Sequence, residues 1–431
     1  MRKIIVAGAG HGGLVAACRL AEAGYDVTVV EKKERNETGH DWHDCIWKPA
    51  FDKAEIELPE CDGVNLMPYF DTAYVNPAKT VKIPIEGISP RLFFIDRKFL
   101  LKMLFERCEK AGVKLIFGRE IKGAVVENVK VIGIRTEDGE MPADLVIDAA
   151  GVDSPVRSSL PASSGIVSEI PENKMFWAYR AYFENTDGTV TSPVQSIYFY
   201  HCNRPGMDWV ASDKSFIDVL IGSFSCLTRE EIDEALEDFR QEYPNMGKDV
   251  IRGGQVAKIP LSPHIPKFIW NGYAAIGDSC SLTEPMSGSG ISNCLKAGCI
   301  LADTVINAGA REFSEELLWK YQYRFLKDAG EANYSVEILR EFMASLSGKD
   351  IDYFFEKKIL TDRELSGMSF SGATVSEIIG KIVAMIPQAD KIPGFTKMGT
   401  RMLSAKKAMN ALPAVYTRTG FEKWRKIYEK I

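Results

Sequence analysis

Lys3-Ile4-Ile5-Val6-Ala7-Gly8-Ala9-Gly10-His11-Gly12-Gly13 opens the chain with an apolar, strand-like run that ends in a glycine loop. A helical pattern follows through Leu14, Val15, Ala17, Cys18, Leu20 and Ala21, and Gly24 stops it. A second β-branched run, Val27-Thr28-Val29-Val30, ends in Glu31. Strand, loop, helix, strand and acid thus fall in the order of a dinucleotide-binding βαβ unit, with Gly8, Gly10 and Gly13 as its G-x-G-x-x-G. Gly8 allows the tight turn, Gly10 a close approach of backbone to a pyrophosphate, and Gly13 the packing of helix on strand. The helix start offers free N–H groups and the positive end of its dipole to phosphates. Glu31 is placed to bond a ribose diol. Nothing in this unit decides between NAD and FAD.

Working outward, the composition is that of an ordinary soluble protein. The 431 residues are 45% hydrophobic and 26% charged, enough for two or three sub-domains with their own cores. Nine cysteines are scattered without a C-x-x-C pair, which reads as reduced thiols in a cytoplasmic protein and not as a disulfide framework or zinc site. No run of apolar residues is long enough to span a membrane, and the chain begins directly in its first strand, with no secretory signal expected. Net charge is −6, unevenly spread. Residues 391–431 hold ten Lys/Arg against Glu422 and Glu429, a balance of +8 that leaves −14 on residues 1–390.

Residues 32–90 show little periodicity and read as a long loop, with a short hairpin near 80–84 and a cluster His40-Asp41-Trp42-His43-Asp44-Cys45. Residues 98–111 read as a helix, 113–117 as a strand, 124–135 as a hairpin and 143–151 as a buried strand. Four strand-like runs at 176–183, 196–201, 207–211 and 216–224, then an acidic amphipathic helix at 227–243, suggest an inserted antiparallel sheet. Residues 270–278 return to a buried strand. Residues 313–431 are helical in pattern, broken at Pro387, Pro393 and Pro413. The expected architecture is α/β: a discontinuous Rossmann-like nucleotide domain (1–164 plus 266–310), a substrate sheet domain (165–265) and a C-terminal helical region (311–431).

A second glycine motif settles the nucleotide. Gly277-Asp278-Ser279 runs into Pro285-Met286-Ser287-Gly288-Ser289-Gly290-Ile291. An Asp at a strand end accepts hydrogen bonds from a polyol chain, and a glycine loop opening a helix stabilises an anionic ring oxygen. A nicotinamide dinucleotide needs no second clamp. A flavin does, because its isoalloxazine lies about 15 Å or more from the pyrophosphate.

These motifs, with Asp148-Ala149-Ala150-Gly151-x-x-Ser154-x-x-Arg157 and Ile95-Asp96-Arg97-x-x-Leu100 between them, resemble the FAD-dependent enzymes of the p-hydroxybenzoate hydroxylase fold (the PHBH or GR2 type). Within that fold the resemblance is to the geranylgeranyl reductase family. It covers residues 1–310, and the C-terminal helices are less distinctive. The resemblance implies a FAD site drawn from Gly8, Gly10, Gly12, Gly13, Glu31, Lys32, Arg97, Ile121, Gly151, Asp278, Gly288, Gly290 and Ile291. In it Gly12 and Gly13 lie along the pyrophosphate, and Glu31 binds the adenosine ribose. Arg97 approaches the phosphate or ribityl region, and the backbone near Ile121 touches adenine. Asp278 binds the ribityl hydroxyls, and Gly290-Ile291 sits under the flavin pyrimidine edge. One departure stands out. Hydroxylases of this fold carry Asp-Gly in the middle motif, tied to nicotinamide use, where this chain has Ala150-Gly151 and its acid two residues earlier at Asp148. That favours a flavin reduced by an external donor, ferredoxin or NAD(P)H.

The reductase family places a cysteine near the flavin shortly after the ribose acid. Cys45 lies at about that offset and His43 beside it, so both are candidate proton donors, with different flanks from the family's. His201 stands at a strand end near the substrate sheet, and His264 reads as structural. His11 sits in the glycine loop where proline is common. No spacing suggests a metal. Phe176, Trp177, Tyr179, Tyr182, Phe183, Tyr198, Phe199, Tyr200 and Trp209 make the inserted sheet aromatic, and alternation should turn about half of them toward the flavin. The expected reaction is reduction of carbon–carbon double bonds in an apolar isoprenoid lipid or its diphosphate. Flavin monooxygenase and electron-transfer flavoprotein are the alternatives. The acidic body argues against nucleic acid. The basic tail reads as a peripheral membrane contact, a cradle for substrate phosphates or a segment docked on its own chain.

Overall fold

A computed structural model describes residues 1–86, 89–261, 265–309, 311–362, 365 and 394–431. Prolines 387 and 393 and His264 lie outside the described residues.

Short Val/Ile-rich runs build a sheet buried on both faces. Its order is Ile269–Trp270, Tyr273–Ala275, Leu145–Asp148, Lys3–Ala7, Asp26–Val30, Lys114–Ile116. All neighbours are parallel except the first two, which form a hairpin around Asn271 and Gly272. Runs of this kind, apolar on both faces, need helices on each side. The helices His11–Glu22 and Ile291–Ala308 supply part of that cover. Register matters most for function. Ala7 aligns with Asp148 on one side and Val30 on the other, and Asp148 with Ala275. The glycine loop, Glu31, the middle motif and Gly277-Asp278 therefore leave the sheet at one carboxyl edge, where open α/β sheets bind ligands.

The second sheet has seven strands: Met246–Pro260, Met175–Asn185, Phe216–Ser223, Met207–Ser212, Gln195–Phe199, Thr72–Val75, Lys82–Pro84. The four expected strands are there. Two more come from the segment read as loop with a hairpin near 80–84: Thr72–Val75 pairs in parallel with Gln195–Phe199 and antiparallel with Lys82–Pro84 at the edge. The same segment also gives His43–Trp47 and Leu66–Pro68, which flank Leu92–Asp96 in a three-stranded sheet. These strands have only three to five residues, and the partners of His43–Trp47, Leu66–Pro68 and Thr72–Val75 lie well downstream. Met246–Pro260 was hidden for a different reason. Gly253 and Gly254, at φ +76° and +78°, interrupt its alternation with a register shift.

The seven-stranded sheet shows the two-residue alternation clearly. Tyr179, Ala181 and Phe183 face the helix Arg229–Glu242, packing with Ile217, Val219 and Phe239. Phe176, Ala178 and Arg180 face the other way, toward a cavity. That helix begins in a capping box between Thr228 and Glu231.

His201 belongs to the helix side. Its ring stacks on Phe239 at 4.3 Å, and its two nitrogens bond Asp208 and Asp238 at 2.7 Å each. Cys202 Sγ also lies within 4.8 Å of the His201 and Asp238 donor atoms, a grouping that linear spacing does not show. Lys79 already pairs with Asp238. The expected proximity of His201 to the substrate is thus replaced by a buried ion-pair network.

Cysteines far apart in sequence also meet. Cys18 and Cys108, both free, touch Sγ to Sγ at 2.8 Å between the helices His11–Glu22 and Arg97–Lys110.

The C-terminal helices Phe395–Asn410 and Arg418–Tyr428 dock on the body. Trp424 and Phe421 pack against Trp319, with ring centroids at 6.5 and 5.8 Å. The Trp319 indole N–H donates to the Pro413 carbonyl at 2.8 Å, and Arg401 pairs with Glu341. Of the three readings of the tail, its apolar face follows the docked one. Lys397, Lys406, Lys407, Lys423 and Lys426 stay exposed on the outside.

Burial alone would lower the pKa of His201, but Asp208, helped by Cys202 and Asp238, raises it to about 10 from 6.5. The folded chain then holds this proton more tightly than the unfolded chain. The stabilisation is fully present below pH 6.5 and is lost as pH rises through about 10. Denaturant unfolding across that window should show stability falling with pH, and His201→Gln should flatten the slope. An unchanged slope in the variant would contradict this assignment.

Candidate active site

The site grows from a backbone crossing. A Cβ on Gly12 would lie 2.4 Å from the carbonyl oxygen of Cys294, and one on Gly298 2.5 Å from the carbonyl oxygen of Gly12. Only glycine lets the helices His11–Glu22 and Ile291–Ala308 meet this closely. Gly12, expected along a pyrophosphate, also serves this contact. Gly8 has φ +86°, and its Cβ would strike the Ala149 carbonyl at 2.6 Å. A Cβ on Gly13 would meet Ala149 Cβ at 2.6 Å and Val6 at 2.9 Å. Gly10 caps the first helix in extended conformation. The N-termini of both helices, at His11 and Ile291, come to line one cavity.

Glu31 is held beside the glycine loop, its carboxylate accepting the Ala9 N–H at 2.8 Å and the Lys33 N–H at 3.0 Å. Lys32 is exposed next to it. Ile121 starts the strand Ile121–Glu127 and is buried. Of the expected site residues, Arg97, Asp278, Gly288, Gly290 and Ile291 line the cavity, whereas Gly8, Gly10, Gly12, Gly13, Glu31, Lys32, Ile121 and Gly151, the last at φ +88°, do not.

The middle motif is a clamp. Asp148 is fully buried and accepts from Ser154 Oγ at 2.6 Å, Tyr273 OH at 2.8 Å and Ala150 N–H at 3.1 Å. Arg157 donates to the carbonyls of Ser279 at 2.6 Å and Val152 at 2.5 Å. The middle motif thereby fixes the turn at Gly277–Cys280. The displaced acid is consumed by these bonds and presents no carboxylate to solvent.

Asp278 accepts from Thr283 Oγ1 at 3.0 Å, and burial raises its pKa. Gly290 leaves space beside it, since a Cβ there would sit 3.5 Å from Thr283 Oγ1 and 3.7 Å from Asp278 Oδ1. Arg97 opens the helix Arg97–Lys110, which Asp96 caps by accepting the Phe99 N–H at 2.7 Å. Its guanidinium pairs with Asp44 and lies 5.6 Å from the Trp42 ring. Burial would raise the Asp44 pKa, but Arg97 overrides it and holds the carboxyl below its ordinary range.

The cavity is about 260 Å³. One end is polar, with His11, His40, Asp44, Arg97, Asp278 and Gly288–Ile291. The sheets supply a mostly apolar wall of Phe94, Phe176, Phe199, Met207, Trp209 and Leu220, together with the charged residues Arg180, Asp208 and Lys258. Of the nine aromatics read from sequence, Phe176, Phe199 and Trp209 face it.

Cys45 lines the cavity, and the strand that carries it is tied to Ser289 and Ser292, in and just after the second glycine motif. The Cys45 carbonyl accepts from Ser289 Oγ at 3.3 Å, and the Trp47 N–H donates to Ser292 Oγ at 3.2 Å. Burial, then Asp44, pushes the Cys45 thiol well above its usual 9.0, so it stays protonated. His43 takes another direction. Its Nε2 donates to the Val64 carbonyl at 2.6 Å and its Nδ1 faces the Tyr182 hydroxyl at 3.2 Å, outside the cavity lining. His40, Trp42 and Asp44 are site residues that sequence marked only as members of a cluster. Tyr69, Tyr74, Phe94 and Met286 carried no signal.

The donor set fits FAD on the structure's own terms. Two helix N-termini, a glycine turn beside a carboxyl, and a cavity-lining His11 Nε2 with no protein partner all face one space.

Comparison with known proteins gives the same answer. The NAD(P)-binding Rossmann-like domain family matches residues 6–43. The digeranylgeranylglycerophospholipid reductase of Sulfolobus acidocaldarius is 24% identical over 89% of this chain and 86% of its own. The corresponding reductase 1 of Methanococcoides burtonii is 28% identical over 81% and 85%. A geranylgeranyl bacteriochlorophyll reductase-like protein from Thermoplasma acidophilum superposes with TM-score 0.74 at 22% identity, covering 90% of this chain and 98% of its own. CtdE, solved in complex with FAD and a substrate, superposes with TM-score 0.62 at 14% identity, covering 85% and 100%. The chain is a FAD-dependent oxidoreductase of the p-hydroxybenzoate hydroxylase-like fold, and it resembles the geranylgeranyl reductases along most of its length.

Proposed function

We propose that this protein reduces carbon–carbon double bonds of an isoprenoid lipid or its diphosphate. The observation that carries this reading is the continuity of one cavity from the Asp278–Gly290 cradle, past a protonated Cys45, to a face of Phe94, Phe199 and Trp209. FAD, when bound and reduced, supplies the hydride. The chain's own residues do the rest. The aromatic face binds and orients a long apolar chain and excludes water. Cys45 holds a proton on its thiol at the cavity wall. Arg97 neutralises Asp44, so that no free carboxylate faces the apolar end.

The buried bonds of Asp148 leave the middle motif without the acidic handle of the hydroxylases, which supports an external donor of the ferredoxin or NAD(P)H class. Two features support contact with an anionic lipid surface: the exposed lysines of the C-terminal helices, and Leu403 and Val415, exposed at 67% and 75%. No helix among the described residues is long and apolar enough to cross a membrane.

Chemically reduced holoenzyme, mixed anaerobically with a geranylgeranyl-bearing lipid, should return the flavin to its oxidised spectrum. Mass spectrometry should then show a product heavier by two hydrogen atoms per reduced bond. A product that gains oxygen in air, with no saturated product without it, would overturn the reading in favour of a monooxygenase.

Cys45→Ala should retain FAD and lower kcat by on the order of a hundredfold, the usual scale for a lost general acid. An unchanged kcat would remove Cys45 from the chemistry.

The holoenzyme should cosediment with phosphatidylserine-containing vesicles at low salt and be released by high salt. Equal binding to neutral vesicles, or none to either, would remove the membrane contact.

A further inference from the structure

His11 is the bulky polar residue inside a loop otherwise made of Gly and Ala, and the chemistry above gives it no task. It is the first residue of the helix His11–Glu22, and its side chain lines the cavity. Its Nε2 is sealed from solvent and has no hydrogen-bond partner in the protein. His40 lines the same cavity from the segment after Glu31. Its ring lies on Trp42 at 4.1 Å with the planes 3° from parallel, and its Nδ1 is likewise sealed and unpaired.

A buried polar nitrogen without a partner costs free energy, and native structures rarely keep one without a reason. Three stand on the wall of one cavity, Trp209 Nε1 on the sheet side and the two histidine nitrogens beside Arg97 and Asp44, and the two histidines share a reason. Gln255 bonds the His40 ring away from Nδ1, and the other groups nearby do not supply partners to the two unpaired nitrogens. Asp44 is engaged by Arg97, and Asp278 accepts from Thr283. Among the charged groups facing the rings, Arg97 repels their protonation and Asp44 favours it. Burial and then Arg97 win, holding His11 near about 3 and His40 near about 4. At neutral pH each ring is therefore uncharged and carries a single N–H donor. A donor of this kind suits phosphate and hydroxyl oxygens without adding a second buried cation beside Arg97.

We propose that His11 and His40 are FAD-binding residues that offer their unpaired ring nitrogens to oxygens of the diphosphate and ribityl chain. The inference rests on FAD as the cofactor and is independent of the isoprenoid substrate. It also accounts for a histidine where this loop ordinarily needs no side chain.

The test is the affinity of deflavinated protein for FAD, followed by quenching of FAD fluorescence. His11→Leu and His40→Leu keep side-chain bulk and remove the donor, while His11→Gln and His40→Gln keep a donor. Each Leu variant should weaken FAD binding roughly five- to tenfold, the loss expected for one net hydrogen bond, and each Gln variant should stay within about twofold of the parent. FAD should also raise the melting temperature of the Leu variants less than that of the parent. Leu variants that bind FAD as tightly as the parent would overturn the proposal. So would Gln variants as weak as the Leu variants, because the rings would then act by packing alone. Where circular dichroism shows a Leu variant misfolded, the Ala variant at that position is read by the same criteria.

Discussion

The site depends on one steric constraint, the crossing of two helix backbones at Gly12, Cys294 and Gly298. A single methyl group at Gly12 would collide with a carbonyl oxygen and push the helices apart. Because they meet there, two positive helix ends from opposite ends of the chain open on the same cavity. Much of what is polar in the cavity is arranged around those two ends, while Arg180, Asp208 and Lys258 come from the sheet. Arg97 and His11 stand near one, and Asp278, Thr283 and Gly290 near the other.

That crossing is held in register by buried hydrogen bonds. Asp148 ties its own strand to Ser154 and Tyr273, and Arg157 grips the Ser279 carbonyl. The middle motif acts here as a girder between the two glycine motifs. This explains how the chain can keep the bulk of that motif without Asp-Gly. The structural partners of Asp148 and Arg157 survive, while the acid that would have served a nicotinamide is absent. The apolar half of the cavity is built separately, from alternate residues of a sheet whose opposite face rests on the helix Arg229–Glu242.

Much of this was legible in the residues. The glycine motifs, Glu31 and Asp278 predict a flavin cradle because each demands a particular backbone shape at a strand end, and shape requirements of that kind leave a strong local trace. The four aromatic strands were equally plain, since each is long enough to alternate. What escaped had non-local causes. Thr72–Val75 becomes a strand of the large sheet by pairing with Gln195–Phe199, more than a hundred residues later, and only the local hairpin near 80–84 showed in the sequence. Gly253 and Gly254 break the period of the longest strand. Alternation along His43–Trp47 does not tell which residues reach the cavity. Asp44 and Cys45, neighbours in sequence, both line it, while His43 bonds Val64 and Tyr182. His201, expected at a strand end facing the substrate region, proves to be the centre of an ion-pair network, because its partners Asp208 and Asp238 come from a strand of the sheet and from the helix Arg229–Glu242 packed on it.

The most direct test is a crystal structure of the FAD-loaded protein. The adenosine ribose should lie on Glu31, and the diphosphate at the start of the helix His11–Glu22. The isoalloxazine should rest on Gly288–Ile291 with its open face toward Cys45 and the aromatic wall. An isoalloxazine bound outside that cavity, or a nucleotide that leaves Asp278 and Gly290 without contact, would contradict the two-ended cradle on which the functional reading stands.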